Sequence, residues 1–339
     1  MKLEDLDLEL EEKNLEGFWA VDRTLSLEPS PTVRPHLWKW REIYGCLDKA
    51  GELVTLDRSE RRTVRLINPG LKQEVRSATR TIHLSVQLVK PGEIARAHRH
   101  NMAAIRFIVQ GRGACTTVEG EQFPMEEGDL ILTPNWSWHD HYNGSDGPIV
   151  WLDGHDGPLV YSLEAGFFEP FRQSQQPIER PPDFSAKQFG LARPSWSSTT
   201  LKNPPLRYPW SDTYATLQAL RGSAGDPYDG VLLRYVNPLT GGWTLPTISC
   251  EIQMLKAGEK TRPHRHTSST IYHVFRGRGA TVINGERYPW EKGDCLVVPL
   301  WSWHQHQNGS DAEEAILFSL SDRPVLDSLN LYREEAREA

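Results

Sequence analysis

His98-Arg99-His100 and, further on, Pro134-Asn135-Trp136-Ser137-Trp138-His139-Asp140-His141 return as His264-Arg265-His266 and Pro299-Leu300-Trp301-Ser302-Trp303-His304-Gln305-His306. The first two histidines recur after 166 residues and the third after 165. An offset held that closely is an internal repeat. Gly128-x5-Pro134 and Gly293-x5-Pro299 precede the tryptophans, and Asn143 and Asn308 follow the third histidine of each copy. In a strand, residues i and i+2 share a face, so His98 and His100 project together. His139, on a later strand beyond a Pro-bounded turn, closes a triangle of imidazoles, and His264, His266 and His304 repeat it as a possible second metal site. Neutral imidazole suits iron, zinc, copper and nickel. One His-x-His pair on a strand is more often structural, but the full pattern found twice favours metal binding.

Around this pattern the chain reads as β. Ile82, Leu84, Val86 and Leu88 alternate with His83, Ser85 and Gln87, the period of a strand. Glu119–Gln122 and Asn284–Arg287 read as hairpin turns, and many short strands with glycine turns indicate a sandwich or barrel. Arg65-Leu-Ile-Asn-Pro69 matches Arg234-Tyr-Val-Asn-Pro238, so the repeat extends upstream of the histidines. Residues 2–13 carry Leu3, Leu6 and Leu10 at helical spacing. Residues 14–60 are aromatic and proline-containing without clean periodicity, an expected arm that packs on a barrel or on another subunit. The domains expected are an arm over 1–60, a first β unit over 61–171, a linker and helix over 172–228 and a second unit over 229–339. The helix is placed at 211–221, and the polar end, residues 327–339, reads as a surface helix.

The 339 residues suffice for two cores. A net charge of -7 argues against nucleic acid as the main partner. No apolar run approaches a membrane span, and the acidic start shows no signal pattern, so a cytoplasmic protein is expected. Cys46, Cys115, Cys250 and Cys295 form no C-x-x-C pair and read as reduced and structural.

Gly92-x5-His98-x-His100 followed by Gly111, and Gly128-x5-Pro134 through His139-x3-Asn143, resemble the two motifs of the cupins. The fold this implies is all-β, two tandem double-stranded β-helix (jelly-roll) barrels with a helical, aromatic N-terminal arm. The usual glutamate of the first motif is absent, with Ala104 and Ile105 in its place, which leaves a three-histidine site. The chain most resembles the bicupin ring-cleaving dioxygenases of gentisate, salicylate and 1-hydroxy-2-naphthoate, through Glu16–Ala20, Leu37–Trp40, Arg65–Leu71, Pro134–His141, Trp151–Gly154, His264–Val274 and Phe318–Glu335. That resemblance implies Fe(II) on His98, His100 and His139, and a 2-hydroxybenzoate chelating it through carboxylate and hydroxyl. O2 would be the co-substrate, and the ring would be cut between the carbons bearing those two groups, as in aromatic hydrocarbon catabolism. It also implies a homotetramer and a second barrel with a structural role.

Arg106, standing where copy two has Tyr272, is the first choice for gripping a carboxylate in a planar fork, against a capping arginine as the rival reading. Arg58 and Arg62 align with arginines the family uses near substrate, although the same run reads equally as a charged turn. His141 resembles the family's acid/base or hydroxyl-binding histidine, with a purely structural histidine as the alternative. Asp153, where copy two is expected to have Phe318, orients His141 or a ligand, or is a buried structural acid. His83 and Met102 stand where relatives tend to have Trp and Gln, and His155 and Gly157 where Leu and Ile are common. Within a gentisate-type or substituted-salicylate enzyme, this exchange of bulk for polarity and space points away from gentisate itself and toward a ring with a substituent other than the 5-hydroxyl, such as 5-nitrosalicylate. The rival classes are a non-catalytic metal- or ligand-binding bicupin, and a metal-dependent isomerase or decarboxylase, which would usually retain the missing glutamate.

Overall fold

The computed structural model describes residues 2–21, 26–55, 58–59, 61–73, 75–190, 196 and 202–337. Residues 1–31 are a unit by themselves. Its helix Leu3–Glu12 buries no side chain, and Trp19 Nε1 donates to Asp7 Oδ1 at 3.0 Å.

The unit from Thr32 onward is built on two copies of one pattern. Each copy makes a six-stranded and a five-stranded antiparallel sheet that face each other. The hairpins between strands close on Glu119-Gly120 and Asn284-Gly285, where all four residues have positive φ, the two-residue turn that matches strand twist.

Period two then sorts the side chains. In Ile149–His155, Ile149 and Trp151 join the interior of barrel one. Val150 and Leu152 join a separate apolar layer together with Ile252, Phe275, Phe318 and Leu320 of barrel two. The six-stranded sheets therefore pack against each other. Phe107 and Phe318 stack across this layer with centroids 4.1 Å apart, and a Cβ on Gly154 would meet Leu320 Cδ1 at 2.7 Å, so the barrels approach as closely as glycine allows.

Three reciprocal exchanges tie the halves. The strand His36–Trp38 pairs with Cys295–Val298 of barrel two, while Arg207–Tyr208 pairs with Leu130–Thr133 of barrel one. Trp40 N–H donates to Asp294, and Trp210 N–H to Asp129, both at 2.8 Å. Thr247 Oγ1 donates to Asp156, and Thr81 Oγ1 to Asp322, both at 2.6 Å. Each copy is thus completed by the strand and helix that precede the other.

Three sequence expectations are corrected. The stretch read as aperiodic contains the helix Trp40–Leu53, which buries Ile43, Leu47 and Gly51 at spacing four. Its stripe is masked in the sequence by Gly45 and Gly51, poor helix formers. The expected C-terminal helix ends early: Arg323–Ser328 is helical, but Glu334–Ala336 is a strand paired with His264–His266. That segment has no apolar stripe to bury, and its backbone meets an open sheet edge. Within the expected linker, Phe184–Phe189 forms a helix whose Ser185 N–H donates to Glu121; residues 191–195 and 197–201 lie outside the described residues. The helix expected at 211–221 is Trp210–Leu220, and the four cysteines are unpaired, Cys46 being exposed.

The reciprocal threonines give a stability prediction. Thr247→Val leaves a buried Asp156 oxygen without its donor and is expected to cost about 1–3 kcal/mol, with Thr81→Val costing a similar amount. Urea unfolding checks this; a loss under about 0.5 kcal/mol in both variants would mean that these contacts do not join the barrels.

Candidate metal centre and active site

His98 and His139 are directly opposite in the antiparallel pair of Ile94–His100 with His139–Asn143. His100, two residues on, shares their face. The ligand atoms of the three lie within 4.8 Å of one another. The Nδ1–H groups of His98, His100 and His139 donate to the carbonyls of Arg96, Met102 and Ser137 at 2.8, 2.9 and 3.0 Å. Those bonds fix the tautomer and leave each Nε2 lone pair to point inward. His139 Nε2 is buried without any partner, as a metal ligand without its metal would be. Burial, with the Arg61 charge added, pushes His98 down to about 3. Burial likewise pushes His100 down to about 4 and His139 well below the usual imidazole range. All three are neutral at physiological pH, the form that ligates. Ala104 occupies the inward position where a fourth ligand would stand, and no carboxylate joins either triad among the described residues.

The recurring Trp-x-Trp and the arginine between the histidines explain each other. The Arg99 guanidinium lies between Trp136 and Trp138, 4.4 Å from each ring centroid, and pairs with Glu169 at 2.6 Å. Arg265 lies likewise between Trp301 and Trp303, at 4.2 and 4.9 Å, and pairs with Glu335 at 2.7 Å. Trp136 and Trp301 both have positive φ, 60° and 56°, a strained turn that the clamp holds in place. The strand bearing two ligands is thereby fixed to the turn that delivers the third.

Facing the triad across the barrel, the six-stranded sheet contributes the polar phase of its strands. A cavity of about 310 Å³ opens between the sheets, at the lower end of the usual range for ligand pockets. His83, Met102, Arg106, His141 and Asp153 line it, as the sequence suggested. Arg106 is buried, with Nη1 donating to Thr133 Oγ1 and Nε unpartnered. Asp153 sits beside it, its cross-strand neighbour. His141 Nδ1 lies 2.8 Å from Thr116 Oγ1, whose hydroxyl donates to Met125 Sδ. With the imidazole proton on Nδ1, shared with Thr116, Nε2 would be an acceptor. Burial, then Arg106 and Arg61, lower its pKa far below the normal value, so His141 is an uncharged base. His83 and His155 meet with ring centroids 4.8 Å apart and planes tilted by 57°. Gly157 N–H donates to His155 Nδ1 at 3.1 Å, which leaves His155 Nε2–H as a donor. A Cβ at Gly157 would strike His155 at 2.7 Å, so the missing side chain is what gives this pair its room.

The structure redistributes several expected partners. Arg58 is exposed and outside the cavity lining, and Arg62 turns away to Glu93 and the Val54 carbonyl. Arg61 and Arg65 line the cavity instead, and Arg61 Nη2 lies 2.8 Å from His98 Nε2. Arg65 stands opposite Ser85 and Thr63 opposite Gln87, so 61, 63 and 65 share the inward phase. Alternation counted back from Arg65 is the signal that finds them. His141 is oriented by Thr116, not by Asp153. The copy-two counterpart of Asp153 is Ser319 rather than Phe318, since Asp153 pairs with Arg106 as Ser319 pairs with Tyr272. Tyr161 and Phe168, also at the cavity, come from segments with no readable period.

A cupin-domain family model matches residues 85–155 and 251–321. The chain is similar to a 5-aminosalicylate 1,2-dioxygenase of Comamonas sp, 44% identical over 99% of this chain and 91% of that protein. It is also similar to a 1-hydroxy-2-naphthoate 1,2-dioxygenase of Nocardioides sp., 39% identical over 98% and 87%. The solved salicylate 1,2-dioxygenase of Pseudaminobacter salicylatoxidans superimposes with a TM-score of 0.90, at 34% identity over 98% of this chain and 97% of that one.

If the Arg99 clamp holds the ligand geometry, Arg99→Ala will weaken divalent-metal binding at this triad by about tenfold. Competition with a chelator measures this. An unchanged dissociation constant would show that the tryptophan turn keeps His139 in place unaided.

Proposed function

This chain belongs to the bicupin ring-cleaving dioxygenases of gentisate, salicylate and 1-hydroxy-2-naphthoate, and on that premise we propose that it is an Fe(II)-dependent 1,2-dioxygenase of a 5-substituted 2-hydroxybenzoate. The observation that carries this reading is the buried Arg106 with an unpartnered Nε, set across a cavity from three neutral imidazoles. A buried cation without a full set of partners is costly, and a carboxylate entering beside the triad would supply them.

His98, His100 and His139 would hold the iron, whose chemistry is the activation of O2 beside a chelating aromatic acid. Arg106 binds the carboxylate, and Asp153, its neighbour, keeps the guanidinium in position. His141, with Nε2 as acceptor, takes the proton from the ring hydroxyl. Arg61 lies across His98 Nε2 and would give up that contact when the nitrogen is taken by the metal. The ring carbons farthest from carboxylate and hydroxyl are C4 and C5. We place them against His83 and His155, whose polar edges favour a hydrogen-bonding substituent. The Comamonas relative is named for 5-aminosalicylate, which agrees with a polar 5-position.

We further infer a homotetramer. Tyr161, Leu163, Phe167 and Phe168 are 57%, 68%, 67% and 61% exposed, an apolar run at the cavity mouth of the kind that marks an interface. A monomeric mass by light scattering would remove this inference. No described helix is long and apolar enough to cross a membrane.

An oxygen electrode with iron-restored protein tests the chemistry. Gentisate, 5-aminosalicylate or 5-nitrosalicylate should be consumed with stoichiometric O2 uptake and loss of aromatic absorbance, and 5-methylsalicylate about tenfold less efficiently for want of a hydrogen bond. His139→Ala should abolish turnover. Arg106→Ala should cost about 3 kcal/mol in kcat/KM, roughly 10²-fold. Absence of O2 uptake with every acid would overturn the proposal, and turnover of gentisate alone would remove the case for an altered pocket.

A further inference from the structure

Barrel two repeats the triad but reverses the charge around it. His264, His266 and His304 bring their ligand atoms within 4.8 Å of one another, and all three are buried. His264 and His304 are direct cross-strand partners, as His98 and His139 are. His266 and His304 donate from Nδ1 to the carbonyls of Ser268 and Ser302 at 2.9 and 3.0 Å. His304 is 1% exposed, and its Nε2 has no partner.

Register identifies what has changed. Tyr272 takes the inward place of Arg106, Ser319 that of Asp153, and Ser249 and Ser321 those of His83 and His155. Glu251 stands where Ser85 stands in barrel one, opposite Arg234 as Ser85 is opposite Arg65. The charged neighbours of the first triad are Arg61 and Arg106, with Asp153 the single anion among them, beside His100. Those of His264 and His266 are Asp226 and Glu334, with Arg323 the single cation among them. Glu251 and Asp229 also act on Tyr272, but Glu251 is paired with Arg234 at 3.1 Å and burial, with Glu251 and Asp226 added, pushes Asp229 up to about 8, so the negative charge at this triad is that of Asp226 and Glu334. Two aromatic rings close on the triad, Tyr228 edge-on to His264 at 5.5 Å and Tyr332 stacked on His266 at 6.4 Å. Tyr332 belongs to the tail whose strand Glu334–Ala336 pairs with the ligand strand.

We propose that barrel two holds a second divalent transition-metal ion that takes no aromatic acid and fastens the C-terminal strand to the barrel. An acidic surround attracts a cation and repels a carboxylate. With Tyr272 at the place of Arg106, no guanidinium stands directly across from this triad to grip an organic anion beside the ion, while imidazole nitrogen still suits zinc, copper, iron or nickel. The first barrel, with arginines about its triad, takes metal and anion together; the second takes metal alone.

Cobalt(II) is the probe, added to the full-length chain after chelation, with bound metal counted by elemental analysis and followed by its visible absorption. The wild-type chain should take two equivalents. His98→Ala/His139→Ala should take one, with a spectrum that added salicylate leaves unchanged. His264→Ala/His304→Ala should also take one, but with a spectrum that salicylate shifts. One equivalent in the wild type and none in His98→Ala/His139→Ala would overturn the second centre. A salicylate-induced shift in His98→Ala/His139→Ala would overturn its exclusion of the acid. Should either double variant fail to fold, the wild-type count of two against one still decides whether the second ion exists.

Discussion

Neither face of the six-stranded sheets is given to water. One face is pressed against the other barrel, where Phe107, Leu152, Phe318 and Leu320 form a continuous apolar layer. Burying that layer stabilises the pair of barrels by roughly 25 cal/mol per Å² of apolar surface. Because strand residues alternate, most of what is polar on these strands is driven to the other face, inside the barrel. His83, Gln87, Arg106, Asp153 and His155 face the triad for this reason. The barrel-to-barrel interface thus builds the site indirectly: a one-residue slip in any of these strands would put a charge between the barrels and a leucine against the metal ligands.

This constraint explains what was legible in the sequence. The ligand triads could be read because i, i+2 spacing is local and the string occurs twice. Arg106, His83 and Asp153 could be read because they share one phase with apolar neighbours of the opposite phase. Arg58 and Arg62 were misplaced because a run of charged residues has no visible phase until its pairing with Ser85 and Gln87 is known. The counterpart of Asp153 slipped by one for a related reason. A β-bulge between Arg112 and Ala114 adds a residue to copy one, and the turn after Asn308 restores the count, so the repeat offset is 165 only in between. Bulges are tertiary features with weak sequence marks. Which strand and helix complete which barrel was likewise hidden, because the exchange of His36–Leu53 and Arg207–Leu220 depends on contacts such as Trp40 with Asp294, which are remote in sequence.

The two copies also separate what the scaffold requires from what the chemistry requires. Arg between two Trp, His on Thr (His141 with Thr116, His306 with Thr281 at 2.9 Å) and the Asn at the end of the ligand strand occur in both. Asn143 and Asn308 each hold a neighbouring carbonyl through Nδ2. A feature kept in both barrels cannot by itself explain a reaction assigned to one. His141 and His306 each meet a threonine hydroxyl through Nδ1, but Thr116 faces Met125 Sδ whereas Thr281 accepts from Trp290 Nε1 at 3.0 Å; on the function proposed, the base role of His141 depends further on the Arg106 guanidinium near it and the anion that guanidinium admits.

Much of what differs is on the inner face of the six-stranded sheets. At position 106 against 272, a cation becomes a phenol; at 85 against 251, a hydroxyl becomes a carboxylate. The first exchange removes a buried positive charge across from the triad, and the second gives Arg234 an ion-pair partner at 3.1 Å, so the second enclosure is much less positive than the first, and charges there are poorly screened. On the proposals made for the two barrels, the same three imidazoles serve an open site in one copy and a closed one in the other. The selection is then made by the opposite sheet, which decides whether an anion can share the metal.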